Sequence, residues 1–181
     1  MGLHADVRRV LSSYESTDAQ QVALRTDFLD YVDAHDDATS RTCRPAHVTG
    51  SALVVDPSAG TVLLTMHPKI GRWLQLGGHC EPGDPSLAAV AEREAVEESG
   101  VAGLRVRGGP VRLDRHEVRC HADGSVGVHL DVQYVVPASM TSELVPSAES
   151  PQLRWFPLDA LPDTDDSVRL LVQAAGLGPL R

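Results

Sequence analysis

Three glutamates, Glu94, Glu97 and Glu98, are spaced so that an α-helix would carry them on one face. Like charges at these intervals destabilise a helix by about 0.2–0.5 kcal/mol per pair. Leu87 and Val90 occupy the same stripe in the preceding turns, so the acidic residues share the side that packs inward rather than an opposite, solvated face. Mg²⁺, or Mn²⁺ in its place, would offset the charge, because such ions prefer carboxylate and carbonyl oxygens. The spacing therefore favours a metal site over a solvated acidic face.

The glutamates lie in a segment with its own helix boundary signals. Asp84 and Pro85 suit the N-cap and the first helical position, and Gly100 suits a left-handed C-terminal cap. We therefore predict a helix over residues 85–99. Arg93 lies four residues before one of the glutamates, where its guanidinium can fork onto a carboxylate.

The rest of the chain predicts strands around this helix and further helices at both ends. Apolar residues at helical spacing predict N-terminal helices over residues 3–14 and 18–34, with Thr17 capping the second. Strand patterns and a closing helical pattern complete the chain, the strands over residues 48–55, 61–66, 111–120, 126–136 and 153–156 and the helix over 166–175. Strands grouped around one inserted helix indicate an α+β fold rather than a doubly wound sheet.

The predicted strand over residues 126–136 alternates in polarity. Apolar side chains share one side, and His129, Asp131 and Gln133 share the other. His116 lies on the strand expected to pair with it. These polar side chains either line a substrate cleft or are half-buried structural groups, and the pattern alone leaves both open.

Residues 78–101 resemble the signature of the Nudix hydrolases: a Gly, five residues, a Glu, seven residues, then Arg-Glu-apolar-any-Glu-Glu-any-Gly-apolar. The second half matches at every position from Arg93 to Val101. The preceding Gly-rich segment, residues 73–83, is also similar to the family's lead-in. So long a match is highly specific.

The resemblance covers about residues 46–175 and implies a Nudix-type α/β/α sandwich with a mixed β-sheet between helices. Residues 1–40 are then an N-terminal helical extension like that of one bacterial subgroup of the family. On this interpretation residues 1–181 form a single domain, of which residues 46–175 are the Nudix-like hydrolase part.

The resemblance also implies roles for individual residues. The metal ligands would be Glu94, Glu97 and Glu98, joined by the backbone carbonyl of Gly78, and Arg93 would orient the carboxylates. The implied reaction is Mg²⁺-dependent hydrolysis of the pyrophosphate linkage of a nucleoside diphosphate joined to another moiety, by metal-activated water.

The proton of the attacking water would pass to a carboxylate. In the family this base is either a glutamate of the signature, here Glu94 or Glu98, or a glutamate of a later loop. Glu149 lies in a Ser/Pro-rich loop and is the candidate of the second kind, although a surface glutamate is an equally good interpretation. His116, His129 and Asp131 would contact the substrate.

The first half of the signature departs from the family pattern. Asp84 stands where a Glu is expected, and eight residues rather than seven separate it from Arg93. We interpret Asp84 as the helix N-cap rather than a catalytic residue, with an ion pair to Arg93 as the alternative.

Composition narrows the functional classes. The chain has 181 residues, 42% hydrophobic and 23% charged, with a formal net charge of −9 and no Lys/Arg block. The charge argues against a nucleic acid polymer as partner and does not exclude a small anionic substrate, and the resemblance implies a small-molecule diphosphate. The longest apolar runs are only about four residues, so no membrane partner is expected. Three cysteines without CxxC spacing argue against a disulfide framework, and together with the lack of a long apolar run they predict a cytoplasmic protein. Whether the chain forms a homodimer stays open.

Two other classes compete with the hydrolase. One is an enzyme of the isopentenyl-diphosphate isomerase type, which shares the fold and uses a Cys and a Glu with a metal held by His and Glu; Cys80 and His79 allow it superficially. The other is a non-catalytic binding or regulatory module on the Nudix fold. The intact second half of the signature ranks both below the hydrolase, because neither needs all three glutamates and the arginine.

Overall fold

The computed structural model describes residues 2–68, 70–118, 124–147 and 150–177. These contain four helices and seven strands. The helices are α1 (Leu3–Ser13), α2 (Ala19–Ala34), α3 (Leu87–Ser99) and α4 (Asp166–Ala174). The strands are β1 (Ala46–Asp56), β2 (Thr61–Met66), β3 (Trp73–Leu74), β4 (Leu76–His79), β5 (Arg112–Val118), β6 (Gly127–Pro137) and β7 (Leu153–Pro157).

All seven strands belong to one mixed sheet. The main order is β3-β2-β1-β6-β5, with β4 also paired to β1 and β7 also paired to β2. The pair β1–β6 is parallel and the other pairs are antiparallel. Strand β1 is buried along its whole length, as expected for a strand with neighbours on both edges and helices over both faces.

Helices cover the two faces of the sheet. On one face α1, α2 and α3 share a core with β1, and its members include Val7, Phe28, Val48 and Val90. On the other face α4 packs through Val168 and its neighbours against a second apolar cluster. The α+β class, the sandwich with a mixed sheet and the N-terminal helical pair are therefore confirmed.

Close packing of α3 on β1 depends on a glycine. A Cβ at Gly50 would lie 3.1 Å from Cγ1 of Val90 and 3.4 Å from the backbone nitrogen of Ala91. Gly50 pairs across the strands with Gly78 of β4, which also lies under α3. At these two positions the adjacent strands offer only backbone to the helix that carries the glutamates.

The N-terminal extension contacts the start of that helix. Oδ2 of Asp6 accepts a hydrogen bond of 2.9 Å from the backbone N–H of Leu87, the first residue of α3. Asp6 is buried and also pairs with Arg9. A carboxylate at a helix N-terminus satisfies an amide that the helix itself leaves open and interacts favourably with the helix dipole.

Two predicted helix caps are wrong. Ser86, not Asp84, caps α3, because its side chain accepts from the N–H of Ala89 and the helix starts two residues later than predicted. Asp18, not Thr17, caps α2 by accepting from the N–H of Gln20. The predicted end of α3 is confirmed, since Gly100 has φ 72° and caps the helix in the left-handed region.

The loop predicted between the first hairpin and α3 contains two strands that the sequence analysis missed, β3 and β4. The other predicted elements are present with ends shifted by one to a few residues, and residues 119–120 of the strand predicted over 111–120 lie outside the described part of the chain. Among the described residues, no helix is both long and apolar enough to cross a membrane.

Asp56 stabilises the turn between β1 and β2. Its carboxylate accepts from the hydroxyl and N–H of Ser58, from the N–H of Ala59 and from the N–H of Met140. The Ser58 hydrogen bonds first, and then the Met140 amide, lower the pKa of Asp56 to about 2. These bonds tie the hairpin to the segment after β6.

We therefore expect Asp56→Ala to destabilise the protein in a pH-dependent way. A lowered pKa contributes stability above the unfolded-state pKa of about 3.9, and this contribution is lost as pH falls through about 2. The difference in melting temperature between wild type and variant should be full above about pH 5 and shrink towards pH 2. Asp159→Ala, at an exposed aspartate after β7, is the control. A difference that stays constant with pH would contradict this account.

Candidate active site

The guanidinium of Arg93 joins the helix, the preceding loop and strand β4. It donates two hydrogen bonds of 3.1 Å to the Asp84 carboxylate and one of 2.7 Å to the backbone carbonyl of His79. Its Nη1 donates to Glu94 at 2.9 Å and to Glu97 at 3.0 Å. The predicted contact with Glu97 is confirmed, and the ion pair with Asp84, the alternative to the cap, is the role that the structure shows.

Arg93 keeps its charge in this setting. Burial would lower its pKa, but the hydrogen bonds to Asp84 and the charge of Glu94 outweigh burial and raise the pKa instead. A permanent cation with a planar set of donors can hold several carboxylates in fixed directions, which a lysine ammonium cannot do.

Glu94 points at strand β4. It is buried, with 8% of its surface exposed, and a Cβ at Gly78 would lie 2.5 Å from its Oε1. Only glycine at position 78 leaves room for this carboxylate. The Glu94 oxygens therefore lie against the Gly78 backbone, whose carbonyl is one of the predicted metal ligands.

Glu98 and Glu97 differ in exposure. Glu98 accepts from the N–H of Gly77 at 3.1 Å and from the hydroxyl of Ser150 at 2.9 Å, so it too lies beside β4. The side chain of Glu97 is 58% exposed. Two of the three carboxylates are thus directed at the Gly77–Gly78 backbone, while the third faces outward beside Arg93.

This donor set fits a hard divalent cation. One side of α3 offers the carboxylate oxygens of Glu94, Glu97 and Glu98. The adjoining strand β4 offers the backbone carbonyl oxygen of Gly78. Mg²⁺ is bound in proteins through one or two carboxylates with waters and substrate oxygens completing its shell. An exposed glutamate beside two inward ones leaves such a shell open to solvent.

The opposite face of β4 carries a second set of polar residues. Strand alternation directs Gly78 towards α3 and the neighbouring His79 away from it. The predicted substrate residues His116, His129 and Asp131 lie on this second face, and His116 pairs with His129 across β5 and β6. The structure therefore brings these three residues together, on the face of the sheet opposite to the glutamates.

Asp131 is completely buried on this face. It accepts from the hydroxyls of Thr49 at 2.9 Å and Ser51 at 2.6 Å and from the amide of Gln133 at 3.1 Å. Burial raises the pKa of Asp131 despite these hydrogen bonds. Three donors around one carboxylate join β1 to β6 from this side.

His116 is oriented by Asp114, whose Oδ2 lies 2.8 Å from its Nδ1. Burial lowers the pKa of His116, but the hydrogen bond to Asp114 and the charge of Asp131 outweigh it, and the net effect is a raised pKa. Its side chain is 43% exposed. His116 therefore offers a partly exposed, readily protonated imidazole at the edge of this face.

The sequence pattern did not point to His47 on this face, and it pointed to His79 only for the isomerase alternative. The rings of these residues and of His129 lie close together, with centroids separated by 4.9–5.0 Å. The alternation of His47, Thr49 and Ser51 along β1 was a usable signal, since three polar residues at every second position mark a polar face.

Glu149, the predicted distal base, lies outside the described residues. The ring of Trp73 packs edge-on against Phe156, with the ring centroids 4.8 Å apart, beside the α4 core.

Comparisons with known proteins agree with this architecture. A protein-family model described as "NUDIX domain" matches residues 45–173, most of the chain. No curated protein sequence is similar enough to match.

Solved structures with the same fold cover most of the chain at low sequence identity. The NUDIX domain of Shewanella oneidensis NrtR, crystallised with ADP ribose, is 22% identical with a TM-score of 0.57, over 81% of this chain and 96% of that one. A NUDIX-family hydrolase from Clostridium perfringens is 22% identical, with a TM-score of 0.53, over 72% and 95%. A MutT NUDIX hydrolase from Burkholderia pseudomallei is 24% identical, with a TM-score of 0.51, over 71% and 97%.

The contacts of Asp84 and Ser86 predict different consequences of replacing them. Ser86→Ala removes a helix cap and should lower the free energy of unfolding by about 1 kcal/mol with turnover unchanged. Asp84→Ala removes two of the five hydrogen bonds that orient Arg93 and should lower turnover about 10–100-fold, the usual cost of losing a residue that orients a metal ligand. Chemical denaturation and turnover of both variants test this. Equal turnover in Asp84→Ala and wild type would show that Asp84 does not position the site.

Gly78, in strand β4, gives a second test, and Gly83, between β4 and α3, is the matched control. A methyl group at Gly78 would meet the Glu94 carboxylate, which must rotate away from β4 because the backbone cannot. Gly78→Ala should therefore lower turnover by about tenfold or more, a cost of the size expected for a displaced ligand, with little loss of melting temperature. Gly83→Ala meets no atom within 4 Å and should leave both unchanged. Normal turnover in Gly78→Ala would contradict the placement of Glu94.

Proposed function

The chain belongs to the Nudix family and is a Nudix-type hydrolase, and on that premise we propose that it hydrolyses the pyrophosphate linkage of a nucleoside diphosphate joined to another moiety. The observation that carries the proposal is the placement of Glu94 and Glu98. Both carboxylates are directed at the Gly77–Gly78 backbone and fixed there, one by Arg93 and the other by Gly77 and Ser150.

Mg²⁺ would be held by Glu94, Glu97 and Glu98 with the carbonyl of Gly78. When bound, it would neutralise charge on the phosphate oxygens and lower the pKa of a water molecule. The acidic chain could then accept a diphosphate at this place, because the ion reverses the sign of the local field.

The chain's own residues would do the remaining work. Arg93 would hold Glu94 against β4 and Glu97 beside it, so that both are oriented before substrate arrives. A carboxylate would accept the proton of the water that attacks phosphorus, and among the described residues we assign this role to Glu94 or Glu98. Glu149 stays a prediction for this role.

We assign the second polar face to the part of the substrate beyond the diphosphate. His116, with its raised pKa, would contact an anionic oxygen, and His129 would present an imidazole beside it, with Asp131 holding the strands beneath. ADP ribose, the ligand crystallised with the NrtR domain, is a compound of the proposed class. A small-molecule diphosphate is therefore the partner that the site suits.

The structure argues against the isomerase alternative. Cys80 follows His79 in sequence but faces α3, where its thiol donates to the Val48 carbonyl at 3.5 Å. Burial raises the pKa of Cys80 to about 12, which leaves it protonated and unreactive at neutral pH. Cys80 and His79 cannot act on one ligand from opposite faces of β4. A purely binding module would not need the oriented carboxylates.

Glu94→Gln tests the proposal most directly. The amide keeps the shape of the side chain and removes the charge, so kcat should fall about 100-fold or more, as for the loss of a metal ligand or general base. The rise in melting temperature that Mg²⁺ gives to the wild type should also shrink. Glu92→Gln is the matched control on the same helix, since Glu92 accepts from the N–H of Val106 away from β4.

The reaction class is tested by running it in ¹⁸O-labelled water over a panel of nucleoside diphosphate compounds. Hydrolysis must place the label in one of the phosphate products, whereas isomerisation or binding alone places it in none. Wild-type protein that yields no labelled phosphate from the panel would overturn the proposed function.

A further inference from the structure

Three imidazole rings meet on the face of the sheet that lies away from α3. His47 comes from β1, His79 from β4 and His129 from β6, and their ring centroids form a nearly equilateral triangle with sides of 4.9–5.0 Å. His47 is completely buried, and the other two are half-buried. A triangle of imidazoles from three adjacent strands is a different structure from the carboxylates beside α3.

The backbone fixes this arrangement. His47 is the direct partner of His129 in the parallel pair β1–β6, and His79 is the partner of Thr49, two residues along β1 from His47. Hydrogen-bonded strand pairs hold each Cα in place, so only side-chain torsions remain to be set. Ligands on rigid strands are positioned more accurately than ligands on loops.

The ring nitrogens lie close to metal-binding geometry. One nitrogen of each ring can be chosen so that all three lie within 4.8 Å of one another. Zn–N bonds of about 2.0–2.1 Å in a tetrahedral site place nitrogens about 3.4 Å apart, so each would move inward by about 1 Å. Small rotations about the side-chain torsions can supply such a movement.

The surroundings favour a cation. Asp131, two residues after His129 on the same face, is a buried acidic group held by Thr49 and Ser51. On the other side the His116 ring lies 5.2 Å from the His129 ring and is partly exposed. The triangle therefore lies between a buried carboxylate and a partly exposed imidazole, and a fourth ligand would approach from the His116 side.

We propose that His47, His79 and His129 bind a divalent transition-metal cation of the Zn²⁺ class, separately from the glutamates. Imidazole suits Zn²⁺ and its transition-metal neighbours, whereas carboxylate and carbonyl oxygens suit Mg²⁺. Three histidines leave the fourth tetrahedral position for water or an anionic oxygen of a ligand. The two faces of β4 would thus select two cations of different chemical hardness.

Co²⁺ is the probe, because four-coordinate Co²⁺ has intense visible absorption and replaces Zn²⁺ in tetrahedral sites. The full chain is stripped with a chelator and titrated with Co²⁺ in excess Mg²⁺, which occupies the carboxylate site. We expect one equivalent of four-coordinate Co²⁺ per chain, displaced by Zn²⁺. Zn²⁺ should also raise the melting temperature in the same buffer.

Variants distinguish the two sites. His79→Gln and His129→Gln should each abolish the Co²⁺ bands. Both positions are only half-buried, so we expect the variants to fold, and circular dichroism checks this. His67→Gln, in the loop after β2, is the matched histidine control and should keep the bands. Glu98→Gln should also keep them, although it damages the carboxylate site.

The metal readout does not depend on catalysis, so it stands apart from the proposed function. Absence of four-coordinate bands in the wild type would overturn the proposal. So would bands that persist in both histidine variants, or bands that are lost in Glu98→Gln but kept in His79→Gln, since either result would place the metal elsewhere.

Discussion

The guanidinium of Arg93 compensates the negative charge of the carboxylates that lie beside α3. Arg93 contacts Asp84, Glu94 and Glu97, and it also donates to the carbonyl of His79. Buried carboxylates are costly unless they are paired, and removing one partner of such a pair leaves a charge uncompensated. The loop, the helix and strand β4 are therefore held in one relation by electrostatics, which also sets the directions of Glu94 and Glu97. Glu98 is held separately, by Gly77 and Ser150.

The helix that carries the glutamates could be predicted because its signals are local. The apolar stripe through Leu87 and Val90 and the left-handed end at Gly100 lie within a few turns of one another. The starting residue could not be predicted in the same way, since Asp84 and Ser86 are both good caps. Arg93, nine residues after Asp84, decides between them by offering that carboxylate a charged partner, and this leaves the cap to the serine.

The second polar face could be predicted only in part, because it is assembled from strands that lie far apart in the sequence. His129 and Asp131 were visible in the alternation of one strand. Their relation to His47 depends on the parallel pairing of β1 with β6, which joins residues about 80 positions apart. Strands β3 and β4 were missed for the same reason. They are two and four residues long and exist through their pairing with β1 and β2 rather than through their own composition.

The hydrogen bond from the Leu87 amide to Asp6 has a consequence for where this protein can be cut. The family match begins at residue 45, yet the first turn of the helix with the glutamates is completed by a side chain 81 positions upstream. A fragment trimmed to the matched segment would lose that acceptor together with the apolar residues that α1 and α2 add to the shared core. Sequence similarity marks the segment that relatives share, whereas cooperative unfolding depends on which residues contact one another. In this chain the cooperative unit begins upstream of the matched segment.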